Sequence, residues 1–112
     1  MLNLSWIKCT GDNWCPFLTV NLEGVKTNGV YAIWQGNGPY VRVGQGDIAA
    51  RLGAHRGDSA ITKYKNLYVT WVAVSAAQRD GVERYLYDEC QPLVGDRAPD
   101  APAIAVNLPG KS

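Results

Sequence analysis

Four side chains in this sequence have the types that polar catalysis uses: a phenol, a guanidinium, an imidazole and a carboxylate. They are Tyr31, Arg51, His55 and Glu83. A guanidinium is a planar, permanent cation that fits phosphate oxygens, and a carboxylate is a hard oxygen ligand for Mg²⁺ or Mn²⁺. A free phenol has a pKa of about 10, so Tyr31 is a poor base at neutral pH unless a cation lowers that pKa or a neighbour relays the proton. His55 titrates in the useful range and is the candidate for that neighbour.

The segments around these residues predict the elements that must position them. Residues 29–34 (GVYAIW) form a predicted strand with apolar side chains on both faces, and residues 40–43 (YVRV) return as the second strand of a hairpin. Asp47 is a good N-cap for a short helix that follows. Because Arg51 and His55 are four residues apart, they would lie side by side on that helix.

A further strand and helix carry the carboxylate. Residues 67–74 (LYVTWVAV) are strongly β-prone, and Ser75 with Gln78 resembles a capping box that opens a helix to about Cys90. Glu83 lies inside that helix. The order of hairpin, helix, strand and helix predicts an α/β (α+β) fold, with a small, mainly antiparallel central sheet flanked by helices.

The length of 112 residues suits a single domain with one core. We expect the residues with candidate chemistry to occupy a core at about 29–92. An irregular lead-in covers residues 1–28, and a tail rich in proline and alanine covers residues 93–112.

The candidate residues also follow a known pattern. The first piece is Gly29-Val30-Tyr31, and after ten intervening residues the second is Arg42-Val43-Gly44. Together they resemble the two-part signature of the GIY-YIG nuclease superfamily. Arg51 and His55 resemble its R-x-x-x-H arrangement, and Glu83 lies in a helix where the family keeps a metal-binding glutamate. The resemblance covers more than half of the chain.

The resemblance implies a metal-dependent endonuclease that hydrolyses phosphodiester bonds, with nucleic acid, and DNA first, as its partner. It implies that Tyr31 is the general base, that Arg51 and His55 contact the phosphate, and that Glu83 holds one Mg²⁺ or Mn²⁺ ion. Such an ion steadies the leaving 3′-oxygen, and nearby cations stabilise the charge that builds on the phosphate.

Two departures from the family pattern leave an alternative open. Arg42 stands where the second signature begins with tyrosine; there it would add a phosphate contact and lower the pKa of Tyr31. The family's P-x-x-N after the long helix reads Pro92-Leu93-Val94-Gly95. The alternative is a catalytically inactive module of this fold that binds nucleic acid or protein. Because the sequence shows no appended DNA-binding region, we expect a homodimer or a partner protein to supply further DNA contacts.

The candidates also have interpretations that involve no chemistry. Tyr31 fits the core of an apolar strand, His55 can be incidental, and Arg56 fits a solvated helix charge. Glu83 lies four residues from Arg79, the spacing of a surface ion pair worth roughly a few tenths of a kcal/mol.

Charge, cysteine content and hydropathy limit the ligands, the metal sites and the cell compartment that the sequence allows. Residues 42–65 carry five Lys/Arg and two acids, a local charge of +3 that is compatible with one anion-facing patch. Three cysteines without a C-x-x-C pair favour buried or free thiols over a zinc site, and so a reducing compartment.

No apolar run approaches the roughly 18–20 residues that cross a bilayer, and the N-terminus lacks a signal-peptide pattern. We therefore expect a cytoplasmic protein with no membrane partner.

Overall fold

A four-stranded antiparallel sheet forms the centre of the molecule. The computed structural model describes residues 1–36, 38–95 and 98–110. The strands are β1 (Cys15–Pro16), β2 (Asn28–Gln35), β3 (Tyr40–Asp47) and β4 (Leu67–Ala73), and they lie in the order β1-β4-β2-β3. Strand β2 pairs antiparallel with β3 on one side and with β4 on the other. These pairings confirm the predicted α+β class and its mainly antiparallel sheet.

Helices cover both faces of this sheet. They are α1 (Ile48–Arg56), the short α2 (Ser59–Thr62) and α3 (Ala76–Cys90). Asp47 caps α1 as predicted, because its side chain accepts a hydrogen bond from the Ala50 N–H. The predicted capping box of α3 is wrong in its bonding: the Ser75 hydroxyl contacts the Gln78 side chain instead of capping a backbone N–H.

Two apolar clusters hold the layers together, one on each face of β2. On the first face, Tyr31 and Ile33 pack with Ile48 and Leu52 of α1. On the second face, the intervening strand residues pack with α3. The second cluster includes Val30, Ala32, Trp34, Val82 and Leu86. Since both faces of β2 are buried, its continuous apolar sequence matches an interior strand, as the sequence predicted.

The order of the strands places β3 at one edge of the sheet. The chain leaves β3, crosses over β2 through α1 and α2, and returns as β4 on the far side. Helix α1 and helix α3 both contact β3, from opposite faces of the sheet. The edge at β3 is therefore the place where side chains from the two helical layers can meet.

The lead-in and the tail pair with each other. Leu2 and Val106 form a parallel bridge. The Asn107 side chain accepts from the Leu4 N–H at 2.6 Å, and its amide donates to the Leu4 carbonyl at 2.9 Å. Asn107 thus ties the two ends of the chain together, which is a structural role.

The cysteine prediction is wrong for two of the three residues. Cys9 and Cys15 form a disulfide across a loop in the lead-in, whereas Cys90 is buried in the second cluster. Because disulfides are rare in reducing compartments, the inference of such a compartment from the cysteines loses its basis. Within the described ranges, no helix combines the length and the apolar character needed to cross a bilayer.

Two helical glycines provide a matched test of how closely the tail packs on α3. A Cβ on Gly81 would lie 2.6 Å from the Ile104 side chain and 2.8 Å from the Pro102 carbonyl oxygen, whereas a Cβ on Gly53 would meet no described atom within 4 Å. We expect Gly81→Ala to lower the free energy of unfolding by about 1–3 kcal/mol through overpacking. Gly53→Ala should raise it by about 0.5–1 kcal/mol. Urea unfolding measures both, and a stabilised Gly81→Ala protein would contradict the packing described.

Candidate functional site

Most of the predicted site residues line one cavity at the edge strand β3. It has a volume of about 390 Å³, and its lining includes Tyr31, Arg42, Arg51 and Glu83. His55 joins this group through a 2.6 Å hydrogen bond between its Nε2 and the Tyr31 hydroxyl. The phenol, the two guanidinium groups and the carboxylate therefore line one cavity, although they come from four elements: β2, β3, α1 and α3.

A glycine on β3 leaves the space that allows the phenol to reach this cavity. Gly44 lies directly opposite Tyr31 in the β2–β3 register. A Cβ at Gly44 would lie 2.3 Å from the Tyr31 hydroxyl oxygen and 2.6 Å from Cζ. Any larger residue would force the ring away, so glycine is required there. From the sequence, Gly44 is identified only as the last residue of the Arg42-Val43-Gly44 motif. Its steric role opposite Tyr31 depends on the strand register and cannot be predicted from the motif.

Arg51 is held at the rim of the cavity by the backbone of β3. Its Nε donates to the Gln45 carbonyl at 3.2 Å, while its side chain is exposed. Gly46 has φ +127°, a conformation that other residues rarely adopt, and a Cβ there would lie 3.3 Å from the Arg51 Nε. The backbone thus directs a permanent cation toward the cavity while leaving it open to solvent.

Arg42 is the more enclosed of the two cations. Its aliphatic stem and guanidinium pack beneath Gly95, where a Cβ would lie 3.2 Å from the Arg42 Nη1. The buried Nε of Arg42 has no hydrogen-bond partner among the described residues. A buried N–H without a partner costs about 1–3 kcal/mol. Arg42 also lines the cavity, so its guanidinium places a permanent positive charge there.

The Tyr31 and His55 pair is buried between these cations. Burial raises the pKa of Tyr31, and the charge of Arg42 opposes that shift in the direction the sequence predicted. Burial, followed by repulsion from Arg42 and Arg51, lowers the pKa of His55 to about 4. The prediction that His55 titrates near neutrality is therefore wrong. At pH 7 the imidazole is neutral, and a neutral ring has one nitrogen able to accept the phenolic proton.

Glu83 projects from α3 toward the same hollow. Burial raises the pKa of its carboxyl group, as does the nearby Asp80, while Gln45, Arg42 and Arg51 act in the opposite direction. Gln45 also donates from its amide to the Asp80 carboxylate at 2.6 Å, which links β3 to the first turns of α3.

The ion pair proposed between Arg79 and Glu83 is not formed. The Arg79 Nε donates to the Val74 carbonyl at 2.9 Å. The two ion pairs recorded within the described ranges are Lys8–Asp12 and Arg84–Asp88. Glu83 is consequently left to face the cavity.

The donor set suits a hydrated ion better than a fully enclosed one. No group of three or more His, Cys, Asp or Glu side chains that could hold a metal occurs within the described part of the chain. Mg²⁺, however, retains several waters and commonly takes only one or two carboxylates together with substrate phosphates. Glu83 is such a carboxylate, and its raised pKa reflects the burial cost of its charge, which a nearby cation would offset.

Arg56 has a structural role and lies outside the cavity lining. Its Nε donates to the Phe17 carbonyl at 3.0 Å, and its Nη2 donates to the Val20 carbonyl. The residue is half-buried, so its interpretation as a solvated helix charge is wrong. Arg56 attaches the lead-in to α1.

Comparisons with known proteins add no relative to this picture. No protein-family model matches the chain, and comparisons with curated proteins and with solved structures found no match either. The geometry of the cavity therefore carries the functional argument by itself.

The low pKa of His55 predicts an acid-dependent loss of stability. Because the unfolded chain has an imidazole pKa near 6.5 and the folded chain one of about 4, the unfolded state binds the proton first as pH falls. The free energy of unfolding should drop between pH 6.5 and pH 4, by on the order of 3 kcal/mol from this group. His55→Gln should lack that component.

Chemical denaturation of both proteins across this pH range measures the difference directly. Carboxyl groups contribute equally to both profiles and cancel in the comparison. Parallel profiles for the wild type and His55→Gln would contradict the buried, neutral imidazole.

Proposed function

We propose that the cavity at β3 is the active site of a metal-dependent endonuclease of the GIY-YIG type, which hydrolyses phosphodiester bonds in DNA. The observation that carries this proposal is the convergence of Tyr31, Arg42, Arg51 and Glu83 on one cavity, with His55 bonded to the phenol. A phenol bonded to a base can handle a proton, two cations can stabilise charge on a phosphate, and one carboxylate can bind a metal ion, and phosphodiester hydrolysis uses all three contributions.

The two arginines bind and polarise the phosphate. Arg51 reaches it from the solvent side, and the half-buried Arg42 lines the same cavity. Their positive charges stabilise the negative charge that builds up on the phosphate oxygens in the transition state, and such electrostatic stabilisation is usually the largest single contribution to catalysis. A planar guanidinium also fixes the orientation of a phosphate by donating two parallel hydrogen bonds.

Tyr31 and His55 handle the proton of the attacking water. The phenolic oxygen takes the proton from water while its own proton passes to the neutral His55 ring at 2.6 Å. In the free protein burial, with repulsion from Arg42 and Arg51, lowers the pKa of His55 to about 4, which disfavours this transfer. A bound phosphate would add negative charge near the imidazole and so raise the pKa of His55. The base thus becomes competent when substrate is present.

Glu83 is the carboxylate that would hold the metal ion. A divalent ion bound there supplies Lewis-acid stabilisation of the leaving oxygen, and Mg²⁺ or Mn²⁺ suits a single carboxylate with water and phosphate oxygens. Gln45 and Asp80 position α3 against β3 and so place the Glu83 carboxylate at the cavity.

Affinity for DNA depends on few contacts. The local +3 charge of residues 42–65 would engage about three to five phosphates, so binding should be weak and strongly salt-dependent. A homodimer or a partner protein would supply the remaining contacts and allow both strands to be cut. A cytoplasmic location agrees with this role, although the Cys9–Cys15 disulfide is unusual for that compartment.

The enclosed phenol favours a second candidate, an inactive binding module of the same fold. Tyr31 is only 1% exposed, and burial raises its pKa rather than activating it.

Calorimetry separates the two candidates. An active site should take up Mg²⁺ in the wild type and in Glu89→Gln but not in Glu83→Gln, whereas an inactive module should show no uptake in any of the three.

Cleavage of supercoiled plasmid and branched DNA with Mg²⁺ or Mn²⁺ tests the proposal. We expect Tyr31→Phe, Arg51→Ala and Glu83→Gln each to reduce the rate by about 10²-fold or more, because each removes a group used in the transition state. Matched controls come from the same chain: Tyr64→Phe removes a hydroxyl, and Glu89→Gln removes a carboxylate from an exposed position on α3. Both controls should retain the wild-type rate. Equal trace nicking by all of these proteins would indicate a contaminant and would overturn the assignment.

A further inference from the structure

A second cavity lies at the hairpin end of the sheet, apart from the candidate active site. It has a volume of about 460 Å³, and its lining includes Trp14, Trp34, Tyr68, Asn13 and Asn66. It shares no lining residue with the cavity at β3. Three aromatic rings and two side-chain amides therefore surround a space that the phosphodiester chemistry does not use.

The aromatic wall of this second cavity consists of a cross-strand pair of residues and one loop residue. Trp34 and Tyr68 lie opposite each other on β2 and β4, and their rings stack with centroids 6.1 Å apart and planes at 26°. Trp14 packs edge-on against Trp34 at 5.4 Å and 86°. Trp34 is fully buried, whereas Trp14 and Tyr68 are half-buried and present aromatic surface to the cavity.

The loop that carries Trp14 is fixed by covalent and hydrogen bonds. The Cys9–Cys15 disulfide closes it, and the Cys9 N–H donates to the Asn13 carbonyl at 2.7 Å. The Asn13 amide also donates to the Thr10 carbonyl at 3.1 Å. The wall formed by Asn13 and Trp14 is thus held before any ligand binds, which lowers the entropy cost of binding.

The polar part suits a neutral ring with hydrogen-bonding edges. Asn13 and Asn66 are exposed, and a side-chain amide carries both donors and an acceptor. Among the described residues that line the cavity, none is charged. Outside the lining, the Lys8 Nζ lies over the Trp14 ring, 4.5 Å from its centroid, and pairs with Asp12 at 3.7 Å. A neutral, aromatic and amide-bearing cavity matches a nucleobase.

We propose that this cavity binds an unpaired base of a single-stranded nucleic acid by stacking on Trp14 and Tyr68. The inference rests on nucleic acid being the partner of the proposed nuclease, but it does not depend on cleavage. The cavity gives the protein a contact outside the phosphate site, and Trp34 lies three residues beyond Tyr31 on β2, about 10 Å along the strand.

Binding of two labelled oligomers with equal backbone charge tests the proposal. One is a ten-residue oligothymidylate, and the other is a decamer with the same sugar-phosphate backbone and abasic sites throughout. Fluorescence anisotropy with EDTA present prevents cleavage. We expect wild type to bind the oligothymidylate about tenfold more tightly, as one or two stacked bases would give. Trp14→Leu and Tyr68→Leu should each reduce that ratio toward one, while Tyr87→Leu, a half-buried aromatic on α3, should keep it.

A measurement on the wild type covers the case in which a variant fails to fold. The indole N–H resonance of Trp14 should shift when oligothymidylate binds, whereas that of Trp6, which donates to the Asn107 carbonyl at 2.9 Å, should not. Equal affinity for the two oligomers, with a silent Trp14 resonance, would overturn the base site and leave phosphate binding intact. Loss of all binding would overturn the proposed function as well. A Trp14 shift with methyl glucoside but not with thymidine would show a sugar site and would also overturn the inference.

Discussion

The hydrogen bond between the Tyr31 hydroxyl and the His55 ring is the interaction on which the candidate site depends. It joins β2 to α1 within the first apolar cluster, and it exists because Gly44 leaves room for the phenol on β3. Buried polar groups require partners, so each side chain holds the other in place. Burial, together with the charges of the two neighbouring arginines, lowers the pKa of His55 and keeps the imidazole neutral. The free site is therefore electrostatically prepared for an anion, whose arrival would shift the proton balance toward the base.

The position of β3 explains how distant residues meet there. An edge strand has one open side, and here α1 packs on one face of the sheet while α3 packs on the other. Arg51 reaches the edge from α1, and Glu83 reaches it from α3. An interior strand would keep the two layers apart. The carboxylate and the guanidinium thus approach one cavity at the edge of the sheet from its two opposite faces.

Much of this architecture follows from patterns within single segments. The apolar run from Gly29 to Trp34, the return of residues 40–43 as its hairpin partner and the Asp47 cap specify local structure, and these predictions are confirmed. What failed depends on contacts between segments. The depressed pKa of His55 requires burial of the imidazole against β2 and the approach of Arg42 from β3, in addition to Arg51 on its own helix. The disulfide requires Cys9 to meet Cys15 across a turn. The partnerships of Arg56 and Asn107 also span many residues, so no local periodicity could reveal them.

The central claim is that His55 lies buried beside Tyr31 in the field of Arg42 and Arg51. Because the chain contains a single histidine, proton NMR of its imidazole gives an unambiguous titration. The account predicts a pKa of about 4 in the free protein. It also predicts a higher value in Arg42→Ala or when a dinucleoside phosphodiester is bound. A free-protein value near 6.5 that neither change moves would contradict the arrangement on which the mechanism is built.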